Sequence, residues 1–155
     1  MKTLEADPIY SYCVRVPCSL QNELDFGVLA SKELIATNES EAIALAFGLR
    51  LGGANVFAAI QNSGLANSLN TIGSLVISYE VPFPILVTVR GLVGDPNPAQ
   101  APIGQATVPL ISALGCDILY AYSNGEVNRS LLSLSDRSVS RKVPPVVLYI
   151  PRWEQ

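Results

Sequence analysis

The chain has 155 residues, a formal net charge of −3, and 15% charged against 49% apolar residues. That is the size of one domain with enough apolar material for a continuous core, which argues against intrinsic disorder. The acidic balance, with Lys and Arg scattered, argues against nucleic acid or an anionic membrane surface as the main partner.

The absence of histidine removes more chemistry than any other number. No Ser-His-Asp triad, Cys-His pair or His-ligated zinc site can be built from this chain alone. A general base must be a carboxylate, a cysteine, a lysine, a tyrosine, a cofactor or a group from another chain. No residue of the chain is read as a metal ligand. Cys13, Cys18 and Cys116 are odd in number and lack a C-x-x-C pair, so they read as small hydrophobes in a reducing cytoplasm. Glu5 and Asp7 leave no signal-peptide core at the start. The uncharged stretches 51–79 and 96–116 are broken by amides and prolines, so neither reads as a transmembrane span. The positive mean hydropathy suggests a large subunit interface, or else a well-buried α/β core.

In chain order, Val16 to Ala30 has roughly helical apolar spacing after Pro17. Leu34 to Thr37 is a short strand, and Asn38 to Leu51 a helix ended by Gly52-Gly53. Val56 to Ile60 is a buried strand, Ser63 to Tyr79 a second helix, and Pro84 to Val89 another buried strand. Gly91 to Gly104 is a Pro/Gly loop, followed by a helix from Gln105 to Leu114. Asp117 to Tyr122 is a strand, Glu126 to Arg141 a polar-faced helix, and Val146 to Ile150 a last strand. Strands alternating with helices, and apolar without interruption, imply a three-layer α/β/α domain with a mainly parallel sheet of five or six strands. Sites in such sheets lie at the carboxyl ends of the strands.

Three segments there can carry chemistry. In TNESEAIALAFG, Asn38 is an N-cap and Glu41 has capping-box spacing. Glu39 is not needed for that cap. It is either a first-turn acid favoured by the helix dipole or a buried carboxylate in need of a partner. In IQNSGLANSLN, a strand ends in Gln61-Asn62-Ser63 and a helix opens at Gly64, which permits close approach or a positive φ. The plain reading is a turn capped by Ser63 or Asn62; the other is an anion or heterocycle at the helix N–H groups. It is neither a Walker loop nor G-x-G-x-x-G. In VTVRGLVGDPNPAQAPIG, Arg90 enters a long loop that is either a binding lid or a stiff surface segment. Arg90 can hold a substrate carboxylate or a structural ion-pair partner.

Together these segments resemble the pyrimidine-binding (PYR) domain of thiamine-diphosphate enzymes, in the branch of phosphonopyruvate and sulfopyruvate decarboxylases. The resemblance is carried by T-N-E-x-x-A-x-A-L-A-x-G, then Q-N-S-G-L-x-N-x-x-N, then V-R-G before a Pro-rich loop. Val16-Pro17-Cys18-Ser19-Leu20 is also similar to a V-P-x-S-L segment near that family's N-terminus. It covers most of the chain and implies a single PYR domain over residues 1–155. It implies that Glu39 hydrogen-bonds the aminopyrimidine ring and promotes the imino tautomer, which takes the thiazolium C2 proton. The cofactor then carries the carbanion left when a 2-oxo acid loses CO2. Gln61, Asn62, Ser63 and Gly64 fall in the loop expected beside the cofactor, with Asn38, Arg90 and Gln100 toward the substrate.

The family's second half, a PP domain that holds the diphosphate and a magnesium ion through a G-D-G-x…N motif, has no counterpart here. Gly94-Asp95-Pro96 lacks the following glycine. A domain of about 150 residues has no room in this length. The resemblance therefore implies an α subunit whose site lies at an interface with a separate PP subunit, in an α2β2 assembly or a multiple. The related decarboxylases carry a histidine after R-G, and Gln100 falls about there. A neutral amide cannot take its charge, which leaves open a different 2-oxo acid, an acyloin-type carboligase, or a diverged non-catalytic partner of the same fold.

Overall fold

The computed structural model describes residues 8–135 and 142–152. Six strands form one sheet: β1 (Tyr10–Arg15), β2 (Ala30–Ile35), β3 (Val56–Gln61), β4 (Ile85–Thr88), β5 (Ile118–Ala121) and β6 (Val146–Tyr149). Their order is β2-β1-β3-β4-β6-β5, and every neighbouring pair is parallel. The register sets Gln61 beside Thr88 and Thr88 beside Tyr149, so the carboxyl ends of three central strands are level. The expected parallel α/β architecture is thus present, with six strands.

Alternation along the strands sorts the core into two layers. Val14, Val56, Ala58, Ile60, Ile85, Val87, Val146 and Leu148 face one way. They pack against α1 (Glu39–Leu51), α2 (Asn62–Thr71) and α3 (Ala101–Ala113) through Ile43, Ala46, Leu65 and Ile111. α2 runs on as a wider π-type stretch, Ile72–Ile77, in which the Ser78 N–H bonds the Gly73 carbonyl five residues back at 3.1 Å. Cys13, Phe57, Ala59, Leu86, Val147 and Tyr149 face the other way, toward Leu24, Phe26 and Leu29 and toward Val127 and Leu131 of α4 (Asn124–Ser133). Burial pushes the Cys13 thiol far up and the Cys116 thiol to about 11, so both are inert hydrophobes.

Several boundaries differ from the sequence expectation. β1 has no apolar run to announce it: YSYCVR reads as polar, yet it is an interior strand with Tyr10, Cys13 and Val14 fully buried. Its Tyr10 hydroxyl reaches the Leu131 carbonyl at 2.5 Å and so satisfies a polar atom in the core. The helix expected over Val16 to Ala30 is two short 3-10 turns, Ser19–Glu23 and Phe26–Val28. They are separated by extended residues, and the Asp25 carboxylate turns the chain by accepting from the Gly27 N–H at 3.0 Å. The last helix ends at Ser133, and the portion expected over 136–141 lies outside the described residues.

The Pro/Gly loop is shorter and firmer than a lid. A 3-10 turn at Pro98–Gln100 leads straight into α3, whose first turn accepts Pro102 because no N–H is needed there. Arg90 pairs bidentately with Asp95, Nε and Nη2 each at 2.8 Å. The Asp95 side chain is 2% exposed and also accepts from the Gly91 N–H at 2.7 Å and the Asn97 N–H at 2.9 Å. Gly91 has φ 82°, and a Cβ there would lie 1.8 Å from the Gln100 carbonyl oxygen, so the backbone folds tightly on itself. Of the two readings of Arg90, the structure shows the ion-pair partner, which is Asp95 in the same loop.

Arg90 holds the Asp95 carboxyl well below the usual carboxylate range. Its stabilisation is complete above about pH 4, the unfolded value, and is lost as pH falls toward the folded value. Asp95→Asn is expected to cost about 2 kcal/mol near neutrality, or about 6 °C in Tm. In thermal melts across pH, the gap to wild type should hold down to about pH 5 and narrow below about pH 4. A gap unchanged at about pH 3 would show that Asp95 does not titrate with folding.

Candidate active site

Two helices begin side by side at the carboxyl edge of the sheet, α1 after β2 and α2 after β3. The start of α1 separates its two acids. Asn38 Oδ1 accepts from the Glu41 N–H at 3.0 Å, the expected N-cap. Glu41 Oε2 reaches back to the N–H of Thr37 at 2.6 Å and to its hydroxyl at 2.5 Å. The box is therefore closed one residue earlier than the standard pattern, on Thr37 rather than on the cap itself. The Thr37 hydroxyl, then its N–H, lowers the Glu41 pKa. Asn38 serves this cap through Oδ1, and its Nδ2 donates to the Thr37 hydroxyl at 3.3 Å.

Glu39, the first residue of α1, is partly buried. Among the described residues its carboxylate has no hydrogen-bond partner. It lies across Gly64 in the first turn of α2: a Cβ built on Gly64 would stand 1.8 Å from Glu39 Cδ and 2.2 Å from Cγ and Oε1. The Ser40 hydroxyl donates to the Asn67 carbonyl at 3.0 Å and ties the two helices together at that point. Gly64 is helical, without the positive φ the sequence allowed; what it supplies is space.

The β3–α2 turn divides its polar residues differently from the sequence reading. Gln61, rather than Ser63 or Asn62, occupies the N-cap position of α2, but its side chain caps nothing. Its Nε2 instead donates to Ser63 Oγ at 2.7 Å. The first turn of α2 therefore has no side-chain cap beside the Glu39 carboxylate. Asn62 is fully buried, and its amide is fully engaged. Nδ2 donates to the Arg90 carbonyl at 2.9 Å and to Thr107 Oγ1 at 3.0 Å, while Oδ1 accepts from the Arg90 N–H at 3.1 Å. Asn62 is thus a brace between β3, β4 and α3, not a group open to a cofactor. Thr107, which donates onward to the Ile103 carbonyl at 2.7 Å, had no signal in the sequence.

At the end of β1, Cys18 Sγ stands 3.3 Å from Thr88 Oγ1, and Thr88 is anchored to the Ile60 carbonyl at 3.2 Å. Gln100 Oε1 is buried without a partner. The structure therefore brings Glu39, Gln61, Ser63 and Gly64 together, while Asn38 bonds the start of α1, Asn62 bonds Arg90 and Thr107, and Arg90 bonds Asp95. Asp95, in the segment compared with the diphosphate motif, is committed to Arg90. Among the described residues no three Cys, Asp or Glu side chains converge on a point that could hold a metal ion. No helix among them is long and apolar enough to cross a membrane.

Comparison with known proteins bears on the fold and the family. No family model matches the chain. Benzoylformate decarboxylase from Polynucleobacter necessarius superposes with a TM-score of 0.66 at 17% identity, over 94% of this chain and 28% of that one. The 2-oxoglutarate:ferredoxin oxidoreductase from Magnetococcus marinus gives a TM-score of 0.60 at 13% identity, over 91% of this chain and 26% of that one. These similarities show the fold. Phosphonopyruvate decarboxylase of Streptomyces viridochromogenes is 36% identical over 107 residues, 66% of this chain and 26% of that protein. Sulfopyruvate decarboxylase subunit alpha of Methanococcus maripaludis is 34% identical over 112 residues, 72% of this chain and 67% of that one. The subunit alpha of Methanothermobacter thermautotrophicus is 32% identical over 146 residues, 92% of this chain and 88% of its own length, and on that extent of similarity the chain belongs to the family of sulfopyruvate decarboxylase alpha subunits.

Proposed function

We propose that the chain is the PYR subunit of a split thiamine-diphosphate-dependent enzyme that decarboxylates a 2-oxo acid, active only with a PP subunit. The observation that carries this reading is the Glu39 carboxylate. It is the one acid at the start of α1 that the cap does not use, and it lies against a glycine at the start of α2. A carboxyl group in that position can share a proton with a ring nitrogen. Glu39 would hold the aminopyrimidine, with Gln61, Ser63 and Gly64 around it. Thiamine diphosphate, when bound, supplies the nucleophilic carbon and the electron sink for decarboxylation. The diphosphate and its magnesium ion would belong to the partner.

A partner is further supported by large apolar side chains left in the open. Leu51 at the end of α1 is 65% exposed, and Tyr79, just past the α2 extension, is 67% exposed. They lie at the C-terminal ends of the two helices whose first turns carry Glu39 and Gly64. On the substrate side, Arg90 is committed to Asp95 and Gln100 is neutral. A second anionic group on the 2-oxo acid would therefore call for a cation other than the Arg90–Asp95 pair.

Native mass spectrometry of the chain purified from its own source should find a second subunit of PP-domain size, with thiamine diphosphate and magnesium. A stable homo-oligomer free of both would overturn the reading. In the complex, Glu39→Gln is expected to lower kcat at least about 100-fold with assembly retained. Glu41→Gln is expected to leave turnover near wild type and to lower Tm instead, because its carboxylate serves the cap. Equal losses of turnover in the two variants would remove the special role given to Glu39.

A further inference from the structure

We infer that Gly64 is the positioning residue for Glu39: the hydrogen that replaces its side chain is what lets the carboxylate stand where it does. The inference rests on the proposed role of Glu39 and deepens it by assigning the glycine of the Q-N-S-G segment to the acid rather than to the cofactor. Three observations carry it. First, the atoms a Cβ at Gly64 would strike are Cδ, Cγ and Oε1 of Glu39, at 1.8, 2.2 and 2.2 Å, and no other group comes closer. Second, the glycine has no conformational excuse. It lies in the first turn of α2 without a positive φ, where alanine is the better helix former. Third, α1 cannot readily slide away to make room. Ser40, the next residue, is bonded to the Asn67 carbonyl of α2 at 3.0 Å, and Ala42, Ile43 and Ala46 are fully buried against the sheet.

The struck atoms belong to the far end of a flexible side chain and not to the backbone. A methyl group at position 64 therefore leaves both helices in place and evicts only the carboxyl group. This separates a positioning role from a folding role. Gly64→Ala is expected to fold with a Tm near that of the wild type and to displace one functional group.

The test uses the complex with the PP subunit and three variants: G64A, E39Q and G64A/E39Q. Gly64→Ala should lower kcat about 100-fold, the loss typical of a reacting group misplaced by about an ångström, with KM for the 2-oxo acid nearly unchanged. The double variant should be no worse than Glu39→Gln, because two changes that remove the same contribution do not add. Losses that multiply in the double variant, or near wild-type turnover in Gly64→Ala, would overturn the inference. A crystal structure of the Gly64→Ala chain gives a readout that does not depend on activity. The Glu39 carboxyl should be rotated off α2, with the Ser40–Asn67 bond intact; an unmoved carboxyl would also overturn it. If Glu39→Gln kept full turnover, the proposed function would fail, and the inference about Gly64 would be decided by that crystal structure alone. Should Gly64→Ala prove unstable, Glu39→Ala in the same chain should restore Tm by removing the clash, and no restoration would count against the inference.

Discussion

The carboxamide of Asn62 fastens the functional edge of this molecule. It is fully buried and bonds both backbone groups of Arg90 as well as the Thr107 hydroxyl. One side chain thereby fixes the end of β4 and the body of α3 to the turn that starts α2. A buried amide of this kind is costly if any bond is left unmade, since each orphaned group costs about 1–3 kcal/mol. Here both N–H groups and the carbonyl oxygen have partners, and the same geometry that satisfies the amide sets the position of Gly64 two residues on. Glu39 lies on Gly64, so its location traces back through α2 to this brace.

Charge is arranged with the same economy. Arg90 and Asp95 cancel each other inside the loop, and the loop backbone closes around the carboxylate. Glu41 is bound into the Thr37 turn. Of the acids near the carboxyl edge, Glu39 is the one whose oxygens are not taken by the protein's own scaffold among the described residues. Among the described residues Glu39 is thus the acid of that edge left open to a group from outside the chain.

Much of this was legible in the sequence because it depends on local rules. The capping spacing of Asn38 and Glu41 separated the two acids without any coordinates, and the apolar runs of β3, β4 and β6 marked a sheet buried on both faces. What could not be read depends on contacts between distant segments. β1 looks polar because Ser11 and Tyr12 interrupt it, and only its place between β2 and β3 makes it a core strand. Asn62 has the composition of a ligand-binding residue, and its partners, Arg90 and Thr107, are far away along the chain. Arg90 reads equally as a substrate contact or an ion-pair partner, and its pairing with Asp95 is made within a loop whose closure no spacing rule foretold. Gly64 advertised a need for space, but not for which atoms.

The π-type winding after Thr71 has a consequence for how this helix relates to the sheet. Regular α-helical winding advances about 100° per residue, so one extra residue in a turn resets the angular phase of everything beyond it. Leu65 and Ile72 are buried on the same side of the helix at the regular seven-residue spacing, and the wide turn, with the Ser78 N–H bonded to the Gly73 carbonyl, falls beyond them. The winding between Gly64 and Ile72 is therefore that of an ordinary helix, and the extra residue is taken up after it, where the chain leaves for β4. Removing one residue between 65 and 71 would turn Gly64 by about 100° relative to the buried Ile72 and carry it out from beneath the glutamate. The same change past Ile72 would leave that relation alone. The winding that must stay regular is the stretch between the glycine and its first anchors in the core.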